Sequence, residues 1–440
     1  MSRTSRRSRR CSVATDRLHV LLDGTTVAQV ERGARGGLRL TYSDPAAMRH
    51  PLTPALLVNA AAHRGKPVEA FLEGLLPDDA AVRQRWAADL ADSLGRPVPP
   101  TAFDLLASMG QDCAGAVQFA DDHLLPDLQA RTGSYEPVDD QKIAARLRLL
   151  RDDTSGWTMP AEHWSLAGAQ SKFTLALLDG RWHEPHGSVA STHIVKPGVA
   201  RMRHQAVVEF ATMRLAARLE LPTASVTLGD FGDQESVVVK RFDRRVLDDG
   251  SVRRLHQVDL CQAAGRLPSE KYEARGGPSS RELAQLIRRV SSDPEHDVRR
   301  FSDALLFNYL AGCPDGHAKN FALLYAGATV RLAPLYDLAT GLPYARLDSD
   351  TTAAFHIGGV RRFGEVYEKH WLAHARELGL DPAERLDRAR TLAQRIPEEL
   401  RAVLTDEVGG DVGRRLWARI SGRPGRLTSR AREAVRRTNR

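Results

Sequence analysis

No run of 18 or more apolar residues occurs in the 440-residue sequence, so no membrane-spanning helix is expected. The basic start MSRTSRRSRRC is followed by no apolar stretch of signal-peptide length, and a cytoplasmic protein is expected. Cysteine is scarce: Cys11, Cys113, Cys261 and Cys313 stand far apart, without a C-x-x-C pair or a histidine at zinc-finger spacing. That excludes a disulfide framework and leaves reduced, mostly buried thiols. Internal repeats are lacking, low complexity is confined to the ends, and there is neither a G-x-G-x-x-G loop nor a Walker A sequence.

What is present is an ordinary globular composition, 42% apolar and 27% charged, on a chain long enough for two or three domains. The net charge of +8 is localised at the ends, since residues 1–10 carry five Arg and residues 421–440 carry seven Arg against one Glu. Removing these +5 and +6 contributions leaves about −3 for the body, so the basic excess reads as two solubilising tails that could also touch nucleic acid.

Residues 17–43 alternate β-favouring runs with Asp-Gly and Gly-Gly turns, which predicts a small antiparallel sheet. Helical spacing follows in VEAFLEGLLPDDAAVRQRWAADLADSLG, broken at Pro77, and the polar stretch 134–141 reads as a linker. KFTLALLDGRW, THIVKP, ASVTLGDF and SVVVKRFDRR are short β-rich runs around one helical pattern, HQAVVEFATMRLAARLE. From Gln257 the apolar spacing is mostly helical. The expected organisation is a basic disordered tail (1–16), a small α+β domain (17–125), a β-rich lobe (142–255), a helical lobe (256–420) and a second basic tail (421–440).

The segment LLFNYLAGCPDGHAKNFALLYAGATVRLAPLYDLAT places Asp315 and Asn320 five residues apart in a turn, with Asp337 a further 17 residues on. Phosphoryl transfer uses this inventory: a loop carboxylate for the attacking hydroxyl, an amide oxygen for magnesium, and a second carboxylate bridging metal to phosphates. Singly, each residue is an ordinary turn former. His317 is open to three roles, metal ligand, general base or loop-orienting partner, of which orientation fits best because no second ligand sits at metal spacing. Lys196 ends a β-run and Glu209 follows 13 residues later in a helical pattern, so a strand-to-helix Lys–Glu pair is geometrically reasonable. In SLAGAQSK, Ala167, Gly168 and Ala169 would let backbone N–H groups approach phosphate, with Ser165, Ser171 and Lys172 adding donors.

Together SLAGAQSK, HIVKP, VVVKRFDR, CPDGHAKNF and PLYDLATGLPY resemble the blocks of the HipA family of toxin kinases, and LLDGTTVAQV, FLEGLLPDD and CAGAVQFA are similar to that family's N-terminal domain. The resemblance implies an α+β fold with a protein-kinase-like two-lobed core behind a small N-terminal domain. It implies Asp315 as catalytic base, Asn320 and Asp337 as magnesium ligands, and Lys196 as the phosphate-binding lysine supported by Glu209. Ala167, Gly168, Ala169, Gln170, Ser171 and Lys172 would hold the triphosphate. His317, Ala318, Lys319 and Tyr336 would line the nucleotide site, Lys240, Arg241 and Phe242 would form the adenine hinge, and Ser165 would be the autophosphorylated serine. Lys240 departs from the glutamate common at that hinge position, and the Arg-rich tails are outside the family pattern.

The implied activity is an ATP- and magnesium-dependent serine/threonine kinase acting as the toxin of a toxin–antitoxin pair on a cellular protein such as an aminoacyl-tRNA synthetase. The implied partners are a helix-turn-helix antitoxin and, through it, DNA. A catalytically weak scaffold that co-binds DNA with the antitoxin, or a small-molecule phosphotransferase, would use the same core.

Overall fold

The computed structural model describes residues 16–155, 162–344 and 351–421. The two expected basic tails, and Cys11 with them, lie outside the described residues, apart from their innermost positions. The architecture is α+β, with a kinase-like two-lobed core behind a small N-terminal unit. Among the described residues no helix is long and apolar enough to cross a membrane.

The N-terminal unit is built on a five-stranded antiparallel sheet in the order His63–Arg64, Leu38–Tyr42, Thr25–Arg32, Arg17–Leu22, Val117–Ala120. The turn signals read from the sequence fall between these strands. Pro77 separates the helices Lys66–Glu73 and Ala80–Leu94, because a proline cannot continue a hydrogen-bonded helix and Asp79 caps the second one through the N–H of Ala81.

The middle of the chain forms a six-stranded antiparallel sheet, in the order Val226–Phe231, Gln234–Lys240, His193–Lys196, Phe173–Leu178, Arg181–Gly187, Gly133–Pro137. The last strand corrects the expectation of a linker at 134–141: this stretch pairs with Arg181–Gly187 and then enters the helix Asp140–Asp152. It is an edge strand, where a polar sequence with a proline costs the sheet little. The run of valines in Gln234–Lys240 follows from burial on both faces. Val237 and Val239 pack with the helix Gln205–Arg218 and the C-terminal core, whereas Val238 and Val195 face the core shared with the N-terminal unit.

The C-terminal lobe is mostly helical, with Ser280–Val290, Pro294–Leu310, Glu368–Glu377, Pro382–Ala402 and Gly410–Ser421 packed into one apolar core. It also contains a three-stranded sheet, His256–Asp259, Ala322–Ala326, Thr329–Leu332, which frames the catalytic segment. Cys113, Cys261 and Cys313 are buried free thiols, as expected.

Candidate active site

A cleft of about 540 Å³ lies between the lobes, lined by residues of the phosphate-loop segment, the lysine strand, the hinge and the catalytic segment. Lys196 ends the strand His193–Lys196, whose register against Val237 fixes where its side chain leaves the sheet. Its ammonium donates to Glu209 Oε1 at 2.7 Å and to Asp337 Oδ1 at 2.6 Å. Glu209 is 1% exposed on the helix Gln205–Arg218, so the question of which face it takes is answered inward. Burial opposes the charged form of Lys196, but Asp337 and Glu209 outweigh it and raise its pKa. Desolvation by the cleft walls likewise opposes the Asp337 anion, whose side chain is 45% exposed, and Lys196 and Lys172 overcome this to hold its carboxyl low.

Asp337 adopts φ +58, a left-handed backbone that Asp tolerates better than most residues and that marks constrained sites. Its side chain stands beside Asn320, whose Nδ2 donates toward Asp337 Oδ2 at 3.5 Å. Asn320 Oδ1 is buried without a hydrogen-bond partner among the described residues. With the amide turned so that this oxygen faces Asp337, the two form a hard-oxygen donor pair, which suits a magnesium ion completed by phosphate and water. No group of three or more metal-ligating side chains exists among the described residues, so these residues form no closed all-protein cage.

Asp315 is open to the cleft, its side chain 64% exposed, while desolvation by the surrounding walls raises its pKa. Tyr272 donates its hydroxyl to Asp315 Oδ1. His317 is buried, with its ring centroid 4.9 Å from that of Tyr272 in an edge-on pair, and its Nε2 3.8 Å from Asp315 Oδ1. Burial and Lys271 pull the His317 pKa down to about 3, so a neutral ring packs the loop. Gly316 passes so close to Asn308 that a Cβ would lie 2.2 Å from its Nδ2, which requires glycine between Asp315 and His317. Ala318 is buried, and Lys319 donates to Asp78. Tyr336 donates to the carbonyl of Lys319 at 2.7 Å and pairs with Phe242, ring centroids 5.6 Å apart.

The phosphate-loop segment 167–172 is held by its own side chains: Lys172 donates to Ala167 O at 2.5 Å, Gln170 to Gln205 at 2.9 Å and Ser171 to Thr154 O at 3.1 Å. Ala169 lines the cleft with them. Ser165 is fully buried in the short strand Trp164–Ser165, its hydroxyl donating to Leu75 O at 2.8 Å.

Lys240, Arg241 and Phe242 line the same cleft, but their groups are differently committed. The N–H groups of Lys240 and Arg241 donate to Ser225 O and Thr192 O, and the Arg241 guanidinium is buried against Asp243, Asp112 and Cys113 O. Phe242 therefore supplies the apolar wall, and Arg241 braces the hinge rather than reaching a ligand. Asp78, Lys271 and Asn308 line the cleft and Tyr272 reaches it through Asp315, yet none of them had an assigned role in the sequence reading. Asp78 fell in the quoted block FLEGLLPDD and Asn308 in LLFNYLAGCPDGHAKNF, whereas Lys271 and Tyr272 fell in none.

A β-rich lobe and a helical lobe, joined by a hinge and enclosing a lysine–carboxylate pair opposite an Asp/Asn loop, define a kinase. Residues 164–401 match the family model for a HipA-like C-terminal domain, and residues 18–120 match that for a HipA N-terminal domain. The chain belongs to the HipA family, as the motif blocks implied. It is 34% identical over 399 residues to Y4mE of Sinorhizobium fredii, which carries a kinase name, spanning 88% of this chain and 92% of that one. It is 30% identical over 373 residues to the serine/threonine-protein kinase toxin HipA of Shewanella oneidensis, spanning 80% and 81%. The solved HipA–HipB–operator DNA complex of Shewanella oneidensis MR-1 contains a similar chain, with TM-score 0.75 and 26% identity over 92% of this chain and 96% of that one.

Proposed function

We propose that this kinase transfers the γ-phosphoryl group of ATP, with magnesium, to serine or threonine of a cellular protein, and that it is the toxin of a toxin–antitoxin pair. The observation that carries the chemistry is the single ammonium of Lys196 joined to both Glu209 and Asp337, with the orphaned Asn320 oxygen alongside. Magnesium-ATP, when bound, supplies the transferable phosphoryl group and the cation that offsets its charge. Lys196 and Lys172 are the cations for phosphate oxygens, and Asn320 with Asp337 are the metal ligands. Asp315 orients the attacking hydroxyl and takes its proton, once that hydroxyl replaces Tyr272 at Oδ1 or uses the second oxygen. The chain's N–H groups at 167–170 complete the phosphate cradle.

Ser165 is the regulatory serine in this reading. Because its hydroxyl is buried, phosphorylation there requires the loop to leave its seat on Leu75, and a phosphate dianion would keep it out. The partners in this reading are a HipB-like helix-turn-helix antitoxin and operator DNA. Its support is the similar chain from Shewanella oneidensis MR-1, which was solved in complex with HipB and its operator DNA.

The test is incubation of purified full-length protein with γ-labelled ATP and magnesium. Label should appear at Ser165, Asp315→Ala should lower the rate at least about a hundredfold, and Ser165→Ala should remove the label from that peptide. An Asp315→Ala protein that labels as fast as its parent would refute the assigned base.

A further inference from the structure

Asp78 belongs to the N-terminal unit, outside residues 164–401 that match the HipA-like C-terminal domain model, yet it lines the cleft. It closes the turn after the helix Lys66–Glu73, and this turn touches the catalytic machinery in several places. Leu75 O accepts the Ser165 hydroxyl, Pro77 forms a bridge to Gly168, and the Asp78 N–H donates to Gly168 O at 2.9 Å. The carboxylate then takes two ammonium groups, Lys319 on Oδ1 at 2.5 Å and Lys271 on Oδ2 at 2.8 Å.

Those lysines stand on the two segments that meet at Asp315. Lys319, with a side chain only 4% exposed, immediately precedes Asn320. Lys271 precedes Tyr272, which donates to Asp315, and its carbonyl accepts the Ala318 N–H at 3.2 Å. Burial by itself would raise the Asp78 carboxyl, but Lys319 and Lys271 hold it well below the ordinary carboxylate range, so it is an anion at neutral pH. Removing that charge leaves two ammonium groups close together with little water, and the more deeply buried one, Lys319, must move.

We infer that Asp78 is a positioning residue for phosphoryl transfer: its carboxylate holds Lys319 and the 271–272 segment in register with Asp315 and Asn320, so that the N-terminal unit completes the active site. The inference rests on the assignment of the cleft as the kinase site. It follows that the 75–78 turn is one seat for both the phosphate loop and the catalytic loop, and that a displacement of the turn disturbs both together.

The experiment measures ADP formation from magnesium-ATP, with water as phosphoryl acceptor, by the full-length chain in a Ser165→Ala background so that autophosphorylation does not stop turnover. Asp78→Asn keeps the side-chain shape and should lower kcat about tenfold or more, while the KM for ATP moves by less than about threefold, because Lys196 and Asp337 are untouched. Asp78→Glu, which restores the charge, should recover much of the loss. In a Lys319→Met background Asp78→Asn should cost less than about twofold further, since residues acting as one unit are non-additive. Turnover by Asp78→Asn within about twofold of the parent, or losses that multiply in the double variant, would overturn the role. Asp315→Ala run in parallel separates the two claims: if it retains full turnover the site assignment itself fails, whereas an inactive Asp315→Ala beside a normal Asp78→Asn removes only the positioning role.

Discussion

Lys172 is a cation buried where the phosphate cradle closes, and burial, with Lys196 adding like charge, pulls its pKa down to about 8. In the proposed reading a triphosphate binds beside it, stabilises the ammonium and raises that pKa again. The complex then holds more protons than the free protein above pH 8, so affinity for magnesium-ATP should fall as pH rises from 8 toward 10, by at most about tenfold per pH unit. Calorimetry at pH 7 and pH 9 checks this, and Lys172→Met should bind more weakly and lose the pH dependence in that window. Asp315, Asn320 and Lys196 were legible in the sequence because each sits in a short motif whose local spacing already matches its chemistry. Tyr272 and Asp78 were not: they reach the site from 43 and 241 residues away along the chain, as partners of Asp315 and Lys319, and no local pattern marks them.

The loop 167–172, the proposed phosphate loop, is an element whose shape is set by one glycine. Gly168 has φ +109, outside the region that L side chains favour, and a Cβ there would lie 2.7 Å from Lys172 Nζ. Gly168→Ala should therefore strain the loop by about 1–3 kcal/mol and displace the lysine, weakening ATP binding about five- to a hundredfold. Titration of a fluorescent ATP analogue reads this directly, and unchanged affinity would show that the loop does not hold the nucleotide. Element types were read well where one periodicity ran uninterrupted, as in the helix Gln205–Arg218. They were missed where burial was one-sided: Gly133–Pro137 is polar because it is an edge strand, and so it reads as a linker.

At the scale of the whole molecule, the N-terminal unit is joined to the hinge by a buried charge cluster as well as by the shared apolar core. Asp112, 4% exposed, receives Arg244 and Arg254 at 2.9 Å each, Arg241 at 3.4 Å, and both the N–H and hydroxyl of Ser191. Asp243 is the second carboxylate, and it also accepts the Gly115 N–H from the N-terminal unit at 2.7 Å. Three guanidinium groups thus rest on two carboxylates, and the run RFDRR, legible only as a hinge block, supplies Arg241, Asp243 and Arg244 to this junction. Truncating one carboxylate leaves buried cations without compensation, a change that costs about 3–5 kcal/mol in comparable buried networks. Asp112→Ala should lower the urea midpoint accordingly, and Asp112→Asn should lower it less because its amide oxygen still accepts hydrogen bonds. The loss should appear first as faster hydrogen exchange at Arg241 and Arg244 and in the strand Val117–Ala120, since these lie on the two sides of the junction. A variant with an unchanged midpoint would mean that the apolar core alone fastens the N-terminal unit, and the hinge would then be braced from its own lobe.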